Sequence, residues 1–397
     1  MQFGRLLFFL AGSTPLLYAS SVSILVIPLK NESQAADLNW IGESVSETIM
    51  TELSAAGQIV LNRDVRNEGY RRLGIKPDTL YTKATLFKLG QTIDAGLVCY
   101  GAYEIVLPSA NSQPRDGSIR ISARFLDLRK LRDASEFSET GKLADLSRLE
   151  EHLAWQTIRF VDPQTKVTAE QLLVPAKLIR LDAKESYIRG LLATSREQKQ
   201  KWFEQSAKLD AKYTQPEFEL GKLAMNARDY RQAVYWFGKI PQSDPLYLEA
   251  KFKMGLSSYL AADYLTAKSC FRELAQTTPL NEVFNDLGAA ESRLHEATAS
   301  DDFRRALDGD SADPTYNFNY AVALYRQGRY EEAAQHLRSI IDRSGPDSDV
   351  SAVLARCEQH LPLSPSDTAR SWPPERVKDN FDLGAFRQLK AMIQNSK

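Results

Sequence analysis

The feature that most constrains this chain is a pattern of residues that returns about every 34 positions in its second half. The stretch ARDYRQAVYWFGKI (227–240) is followed 34 residues later by AADYLTAKSCFREL (261–274). Both place an aromatic residue, an alanine, a second aromatic residue and an aliphatic residue at the same positions. A repeat of this length predicts helical hairpins stacked into a solenoid. The copies begin at Arg180, Thr214, Leu248, Asn281 and Pro314.

Small residues recur at fixed places in the copies and indicate how the two helices of each copy pack. We expect them to let the helices approach closely, while Tyr and Phe side chains fill the space beside them. Prolines follow where a second helix must stop. The small residues are Gly221, Gly255, Gly288 and Ala321 in the first helices and Ala233, Ala267, Ala299 and Ala333 in the second helices.

This pattern resembles the tetratricopeptide repeat, and several of its positions agree in three copies. The resemblance implies an all-α solenoid of about five repeats over residues 180–345, in which the first and fourth copies are degenerate. It also implies that the first helices line a groove that binds a protein or peptide partner.

The groove-facing positions, taken from the repeat register, carry several aromatic side chains. Phe occupies three of four equivalent positions, which favours a partner bound through apolar contacts, such as an extended peptide or a helix. The alternative is that these side chains pack between neighbouring first helices. The predicted groove residues are Phe218, Lys222, Met225, Phe252, Leu256, Tyr259, Asn285, Arg293, Phe318, Val322, Tyr325 and Arg326.

Strand and helix patterns alternate in the first half of the chain. SILVIPLKN and QIVLN have the composition of strands, and apolar residues at every fourth position of the segment between them predict a helix. LFKLGQTIDAGLVCYGAYEIVL predicts a helix and a third strand. GSIRISARFLDL alternates as a half-exposed strand does, and DLSRLEEHLAWQTI predicts a closing helix. The pattern predicts an α/β domain with a mixed sheet over residues 22–165, and hence an α+β chain.

Three stretches of this domain resemble the TolB-like amino-terminal domain of bacterial signalling and envelope proteins. They are ILVIPLKNESQAADLNWIGESVSETIMTELSAAGQIVLNRD, IDAGLVCYGAYEI and GSIRISARFLDLRK. Leu29 follows Pro28 where that family usually has an aromatic residue. The resemblance implies a non-catalytic module for assembly or recognition.

The first residues predict a secretory signal peptide over residues 1–19. Arg5 precedes an apolar run that Gly12 and Pro15 interrupt, and Ala19 suits a cleavage position. The run is too short for a comfortable membrane span, which needs about 20 apolar residues. We therefore expect a periplasmic or secreted protein without a membrane span in the mature chain. The alternative is that these residues form a first strand or helix of the fold.

Residues 346–397 predict a capping helix, a linker rich in proline and serine, and a C-terminal helix. SDVSAVLARCEQHL is the first helix and PLSPSDTARSWPP the linker. ERVKDNFDLGAFRQLKAMIQNSK, which begins at residue 375, places Phe386, Leu389 and Ile393 on one helical face. This last helix is interpreted either as a cap on the solenoid or as a docking helix for a partner.

The chemistry of the sequence argues against catalysis and against nucleic acid. Its 50 basic and 51 acidic residues nearly cancel, which disfavours a polyanionic partner. Cys99, Cys270 and Cys357 lack metal-binding spacing, so we expect buried thiols. The four histidines have no second ligand nearby, and no nucleophile, zinc-protease or phosphate-loop motif is present. We predict no enzyme activity, no cofactor and no metal.

Two functions remain after these exclusions. The first is an exported, non-enzymatic scaffold or adaptor that binds a protein partner through the repeat groove in envelope assembly or maintenance. The alternative is a sensor whose TolB-like domain receives a signal or ligand and whose repeats relay it to a partner. A third hypothesis, an envelope hydrolase, has no motif in its support.

Overall fold

The computed structural model describes residues 22–33, 36–77, 81–106, 116–130, 132–174, 178–363, 375–384 and 386. The predicted signal peptide, residues 364–374 of the predicted linker, and Leu389 and Ile393 of the predicted C-terminal helix lie outside these residues.

The amino-terminal half forms a mixed sheet with the strand order β3–β1–β4–β5–β6, and β2 pairs with β4. β1 is parallel to β3 and β4, whereas β4, β5 and β6 are antiparallel. The strands are β1 (Ile24–Val26), β2 (Lys30–Asn31), β3 (Val60–Leu61), β4 (Leu97–Val106), β5 (Ser118–Asp127) and β6 (Arg132–Lys142). The helices are α1 (Trp40–Ala55), α2 (Arg63–Leu73), α3 (Lys83–Thr92), α4 (Leu146–Val161) and α5 (Ala169–Leu172).

Helices cover both faces of this sheet. Successive residues of a strand point to opposite faces, so Ile24 and Val26 of β1 pack in the core with α1 and α4. Leu25 packs on the other side with residues of α2 and α3. The mixed sheet predicted from the sequence is confirmed, whereas α2 and β6 were not predicted.

Helical hairpins follow, and their first helices begin within one residue of the predicted starts of the copies. The pairs are α6 (Leu181–Leu192) with α7 (Arg196–Leu209), α8 (Gln215–Asn226) with α9 (Tyr230–Phe237), α10 (Tyr247–Leu260) with α11 (Tyr264–Thr277), α12 (Asn281–Arg293) with α13 (Ala299–Gly309), and α14 (Pro314–Arg326) with α15 (Tyr330–Ser344). A further helix, α16 (Ser348–Glu358), packs on the last pair. The predicted α+β fold class is confirmed.

The small residues explain how each hairpin closes. A Cβ atom added to Gly221 would lie 2.6 Å from the ring of Phe237 on the second helix of the same pair. The same contact recurs between Gly190 and Phe203 in the first pair, at 2.5 Å. A methyl group at these positions would therefore push the two helices apart.

Replacing Ala233 with leucine should lower the free energy of unfolding by about 1–3 kcal/mol, because the added atoms overpack the hairpin. Ala233 is fully buried on α9, in a cluster with Phe218, Phe237 and Ala250 of the next repeat. Urea denaturation of the full chain measures the effect. Arg231→Leu changes an exposed residue of the same helix and should leave the midpoint nearly unchanged. Equal midpoints for both variants would contradict this packing.

The two halves of the chain share one apolar core. The cluster that begins at the sheet continues through α1 and α4 into the first repeat, where Tyr187, Ile188 and Phe203 belong to it. Glu150 of α4 and Lys184 of α6 form a buried ion pair inside this contact. The first repeat is therefore packed against the amino-terminal domain.

The C-terminal prediction was wrong at its start. Residues 375–382 form neither helix nor strand, and helical residues appear only from 383. The N–H groups of Arg376, Lys378 and Asp382 donate to side chains of the repeats rather than to carbonyl groups of a helix. Residues 375–383, called the tail segment below, lie along the first helices of the repeats.

Candidate functional site

The candidate site is the concave surface formed by the first helices α8, α10, α12 and α14, with the tail segment lying in it. Glu375 contacts Arg326 of α14, and Phe381 stacks on Phe252 of α10. Leu383, at the end of the tail segment, lines the same cavity as Phe218 of α8. The tail segment therefore runs from the last repeat back toward the second.

Two asparagines bind the main chain of the tail segment. Nδ2 of Asn285 and Nδ2 of Asn319 both donate to the carbonyl oxygen of Arg376, at 2.9 and 2.7 Å. The N–H group of Arg376 donates in return to Oδ1 of Asn319 at 2.8 Å. Both asparagine side chains are fully buried. Because these bonds reach backbone atoms, they require an extended chain at this position but no particular side chain.

Two carboxyl groups of α12 extend this contact. The N–H group of Lys378 donates to Oδ1 of Asp286 at 2.8 Å, and that of Asp382 donates to Oε1 of Glu282 at 3.0 Å. Burial raises the pKa of Asp286 well above its usual range, against the hydrogen bond from Lys378, which lowers it. A backbone donor in the groove therefore favours the ionised form of a carboxyl group that its surroundings disfavour.

Glu375 occupies a positively charged pocket. Its Oε1 lies 2.7 Å from Nη1 of Arg326 and accepts a hydrogen bond of 2.6 Å from the hydroxyl group of Ser292. Its Oε2 lies 2.6 Å from Nε of Arg293. The two groups form an ion pair, but their angles are not those of a hydrogen bond. Burial opposes ionisation of Glu375, but Arg326 and Arg293 outweigh it and hold its pKa below the ordinary 4.5. The pocket therefore selects a carboxylate.

The two basic residues of the tail segment meet aromatic rings and acids. The guanidinium of Arg376 lies 4.0 Å from the ring centroid of Phe318 and 2.9 Å from Asp347. Nζ of Lys378 lies 2.6 Å from Asp313 and 4.9 Å from the ring centroid of Tyr316. Each cation thus has a cation–π contact together with an ion pair.

Aromatic stacking fixes the far end of the tail segment. The rings of Phe381 and Phe252 lie 4.7 Å apart and are inclined by 10°. Because Phe252 is fully buried, its ring forms part of the floor of the groove. The stacking and the ion pair of Glu375 together fix the distance between the two ends of the tail segment.

Comparison with protein families finds a match in the helical half of the chain. Residues 285–349 match a tetratricopeptide repeat. These residues include α14 and α15 and most of α12, so the tetratricopeptide match contains the two asparagines and the two arginines of the groove. No curated protein matches the chain in sequence.

Solved structures are similar to parts of the chain. MamA from Desulfovibrio magneticus RS-1 is 20% identical, with 41% of this chain and 96% of that chain covered and a TM-score of 0.39. YrrB, described as a TPR protein with an unusual peptide-binding site, is 16% identical, with coverages of 40% and 82% and a TM-score of 0.35. The C-terminal domain of LpoB from Salmonella enterica is 15% identical, with coverages of 31% and 83% and a TM-score of 0.25.

The tetratricopeptide groove brings several of the predicted residues to the tail segment. Those in contact with it are Phe252, Tyr259, Asn285, Arg293, Phe318 and Arg326. Leu256, Val322 and Met225 contribute to the cores of the repeats, as the packing alternative proposed. Tyr325 is turned toward α16, since its hydroxyl group donates to the carbonyl oxygen of Leu361 at 2.6 Å.

Sequence reasoning missed much of the polar half of the groove, because it looked for aromatic residues. The missed residues are Glu282, Asp286, Ser292, Asp313, Tyr316, Asn319 and Asp347. A signal was present: Asp286 and Asn319 occupy the same repeat position 33 residues apart, and so do Arg293 and Arg326. Polar residues repeated at one position of consecutive copies would have indicated the binding of a polar main chain.

A cavity of about 600 Å³ continues the groove beyond Leu383. Helix α1 of the amino-terminal domain and the first repeats enclose it. Phe218 and Lys222, both predicted groove residues, line it together with Glu47, Glu249 and Leu383. The groove therefore has an open part as well as an occupied part.

A second cavity, of about 450 Å³, lies where β1 ends. Its apolar lining includes Ile27, Leu86 and Tyr100, and its polar lining includes Asn31 and Arg124. Leu192 of the first repeat forms part of its wall. This cavity thus touches both halves of the chain.

Three further features concern only the described residues. Among them, no cluster of His, Cys, Asp and Glu side chains has the placement of a metal site. In the same residues, no helix combines the length and the apolar character that a membrane crossing requires. All three cysteines are buried, as predicted.

Proposed function

We propose that this chain is a non-enzymatic scaffold that binds an extended segment of a partner protein in its tetratricopeptide groove. The observation that carries the proposal is the binding of main-chain atoms by Asn285, Asn319 and Asp286. Buried amide and carboxyl groups without partners are costly, by about 1–3 kcal/mol each, so the groove is built to be filled. Recognition through the main chain suits a scaffold, because it accepts an extended peptide of any protein that satisfies the side-chain pockets.

The place of action is also a proposal. We infer that residues 1–19 direct export and that the scaffold works in the periplasm, in envelope assembly or maintenance. The amino-terminal domain, which resembles TolB-like domains in sequence, would contact envelope components there. This domain shares an apolar core with the first repeat. That packing supports the proposal that the domain contacts the envelope while the groove binds the partner, because it holds the groove at a fixed place relative to the domain.

The test uses the full chain, expressed with its own leader in a Gram-negative host. A photo-cross-linking amino acid replaces Lys222 in the open part of the groove, and a matched chain carries it in place of exposed Arg304 on α13. We expect a partner protein to be cross-linked from position 222 and not from position 304. Peptide mapping should place the cross-link in one continuous segment of that partner.

Asn319→Ala provides the decisive comparison, made in a Lys222 chain that also carries Glu375→Lys and Phe381→Ala so that the tail segment no longer occupies the groove. It removes two hydrogen bonds to the main chain of the bound segment and leaves the aromatic floor in place. We expect the cross-linked product to decrease at least fivefold, with circular dichroism showing an intact fold. An unchanged product, or an identical product from position 304, would contradict the proposal. Alanine at Phe252 and Phe318 is unsuitable, because both rings are fully buried.

The cavity where β1 ends favours the sensor as a second candidate function. Its volume of about 450 Å³ and its mixture of apolar and polar walls suit a small ligand. Because Leu192 belongs to the first repeat, a ligand there would contact both the amino-terminal domain and the solenoid. Leu192→Trp should narrow the cavity. If the chain is a sensor, this variant should change the yield of the cross-link from position 222. If it is only a scaffold, that yield should stay the same.

A further inference from the structure

We propose that the tail segment is a built-in competitor for the groove, and that the partner segment which displaces it carries the same chemistry. We expect the partner segment to be an extended peptide that contains an acidic residue and a basic residue directly after it. A second basic residue follows three positions after the acidic residue, and an aromatic residue follows six positions after the acidic residue. This inference rests on the proposed function, since it names the class of peptide that the same groove accepts.

The acidic position is the most strongly selected. The side chain of Glu375 is fully buried between two arginines and a serine. An amide or an apolar side chain there would leave Arg293 and Arg326 close together without a counter-charge. A lysine would add a third positive charge. The groove therefore discriminates against segments that lack a carboxylate at this position.

The basic positions fix the direction of the bound segment. Asp347 and Phe318 receive the first cation, and Asp313 and Tyr316 receive the second. The arginines that bind the acid and the acids that bind the cations lie at successive places along the groove. A segment bound in the opposite direction would bring like charges together, which is unfavourable for binding.

The stacked rings of Phe381 and Phe252 set the spacing between the basic and aromatic positions of the bound segment. Phe381 reaches Phe252 while the backbone of Arg376 is held by Asn285 and Asn319. Phe381 lies five positions after Arg376, the residue held by the asparagines. A bound partner must span the same distance in an extended conformation.

The tail segment can compete because it belongs to the same chain. A segment tethered by a short linker has an effective concentration in the millimolar range. If the tail sequence binds the groove as a free peptide with a dissociation constant of about 10 μM, an effective concentration of about 1 mM would weaken the binding of any partner peptide roughly 100-fold. Displacement keeps the buried Asn and Asp groups paired, because the incoming backbone replaces the outgoing one at the same atoms.

The experiment uses the full chain and a fluorescent synthetic peptide with the sequence of residues 375–386, ERVKDNFDLGAF. A tail-released chain carries Glu375→Lys and Phe381→Ala, which place a positive charge in the arginine pocket and remove the stacked ring. Fluorescence anisotropy measures binding of the peptide to this chain and to the unaltered chain. We expect the tail-released chain to bind the peptide at least tenfold more tightly.

Three controls define the site. In the tail-released background, Arg293→Gln with Arg326→Gln should abolish binding, whereas Arg304→Gln, which changes an exposed arginine of α13, should not alter it. A peptide with lysine at its first position should not bind the tail-released chain.

Equal affinities of the unaltered and tail-released chains would overturn the competitor role. Absence of binding to the tail-released chain would overturn the shared chemistry. Either result leaves the proposed function standing if the cross-link from position 222 still depends on Asn319; loss of that dependence would instead remove the proposed function itself.

Discussion

Replacing Lys184 with methionine should lower the free energy of unfolding by about 3–5 kcal/mol, the cost of leaving a buried charge without its partner. Lys184 of α6 pairs with Glu150 of α4, whose side chain is fully buried. Nζ of Lys184 also donates to the hydroxyl group of Thr48 on α1, at 3.1 Å. The substitution would therefore leave the Glu150 carboxylate without a counter-charge where the first repeat meets the amino-terminal domain.

Guanidinium chloride denaturation of the full chain measures this effect. The double variant Glu150→Leu with Lys184→Met should recover most of the loss, because a buried ion pair can be replaced by apolar residues of similar volume at little cost. Lys201→Met, at an exposed position of α7, should change stability by less than about 0.5 kcal/mol. A single variant as stable as the unaltered chain would show that the pair does not join the two halves.

Gly42→Ala should be nearly as damaging, with a loss of about 3 kcal/mol. A Cβ atom at position 42 would lie 2.0 Å from the carbonyl oxygen of Leu29. The neighbouring atoms belong to the main chain, and the N–H group of Leu29 donates to the carbonyl oxygen of Gly42 at 3.1 Å. Helix α1 therefore cannot accept a methyl group here without moving away from the sheet. The better helix propensity of alanine, worth up to about 1 kcal/mol, offsets only part of this cost.

Thermal and chemical denaturation of Gly42→Ala test this contact. Ser54→Ala provides the control, because Ser54 is exposed on the same helix. We expect that control to stay within about 0.5 kcal/mol of the unaltered chain. A neutral or stabilising effect of Gly42→Ala would contradict the close approach of α1 to Leu29.

The repeat half could be predicted well because its information is local. Each hairpin needs a small residue opposite an aromatic ring, as Gly221 and Phe237 show. These two residue types recur at a fixed spacing in the sequence. The starts of the first helices could therefore be placed within one residue. The groove could be located by register, but not the polar half of its lining.

Two elements of the amino-terminal domain escaped prediction for different reasons. β6 contains many polar residues, including Glu136 and Glu139, and its pairing with β5 is a tertiary contact. Helix α2 lacks an apolar stripe, and one of its buried residues is Arg66. The guanidinium of Arg66 donates to Ser46 and to the carbonyl oxygen of Val26 and is paired with Glu43. No local pattern reports a buried arginine whose partners lie about 20 and 40 residues away.

The tail segment is the clearest case of tertiary structure overriding a local pattern. Its sequence was interpreted as the start of a helix, but its backbone is bound by side chains of α12 and α14. Those partners lie 57 to 92 positions earlier in the chain, so the non-helical conformation has no local signal.

Amide hydrogen exchange in the tail segment of the full chain tests the central claim most directly. If the groove binds an extended backbone, the amides of Arg376, Lys378 and Asp382 should exchange at least about tenfold more slowly than in the free peptide 375–386. Arg293→Gln with Arg326→Gln should remove that protection, whereas Arg304→Gln should retain it. Exchange of these amides in the unaltered chain at the rate of the free peptide would contradict the claim that the groove holds the tail segment.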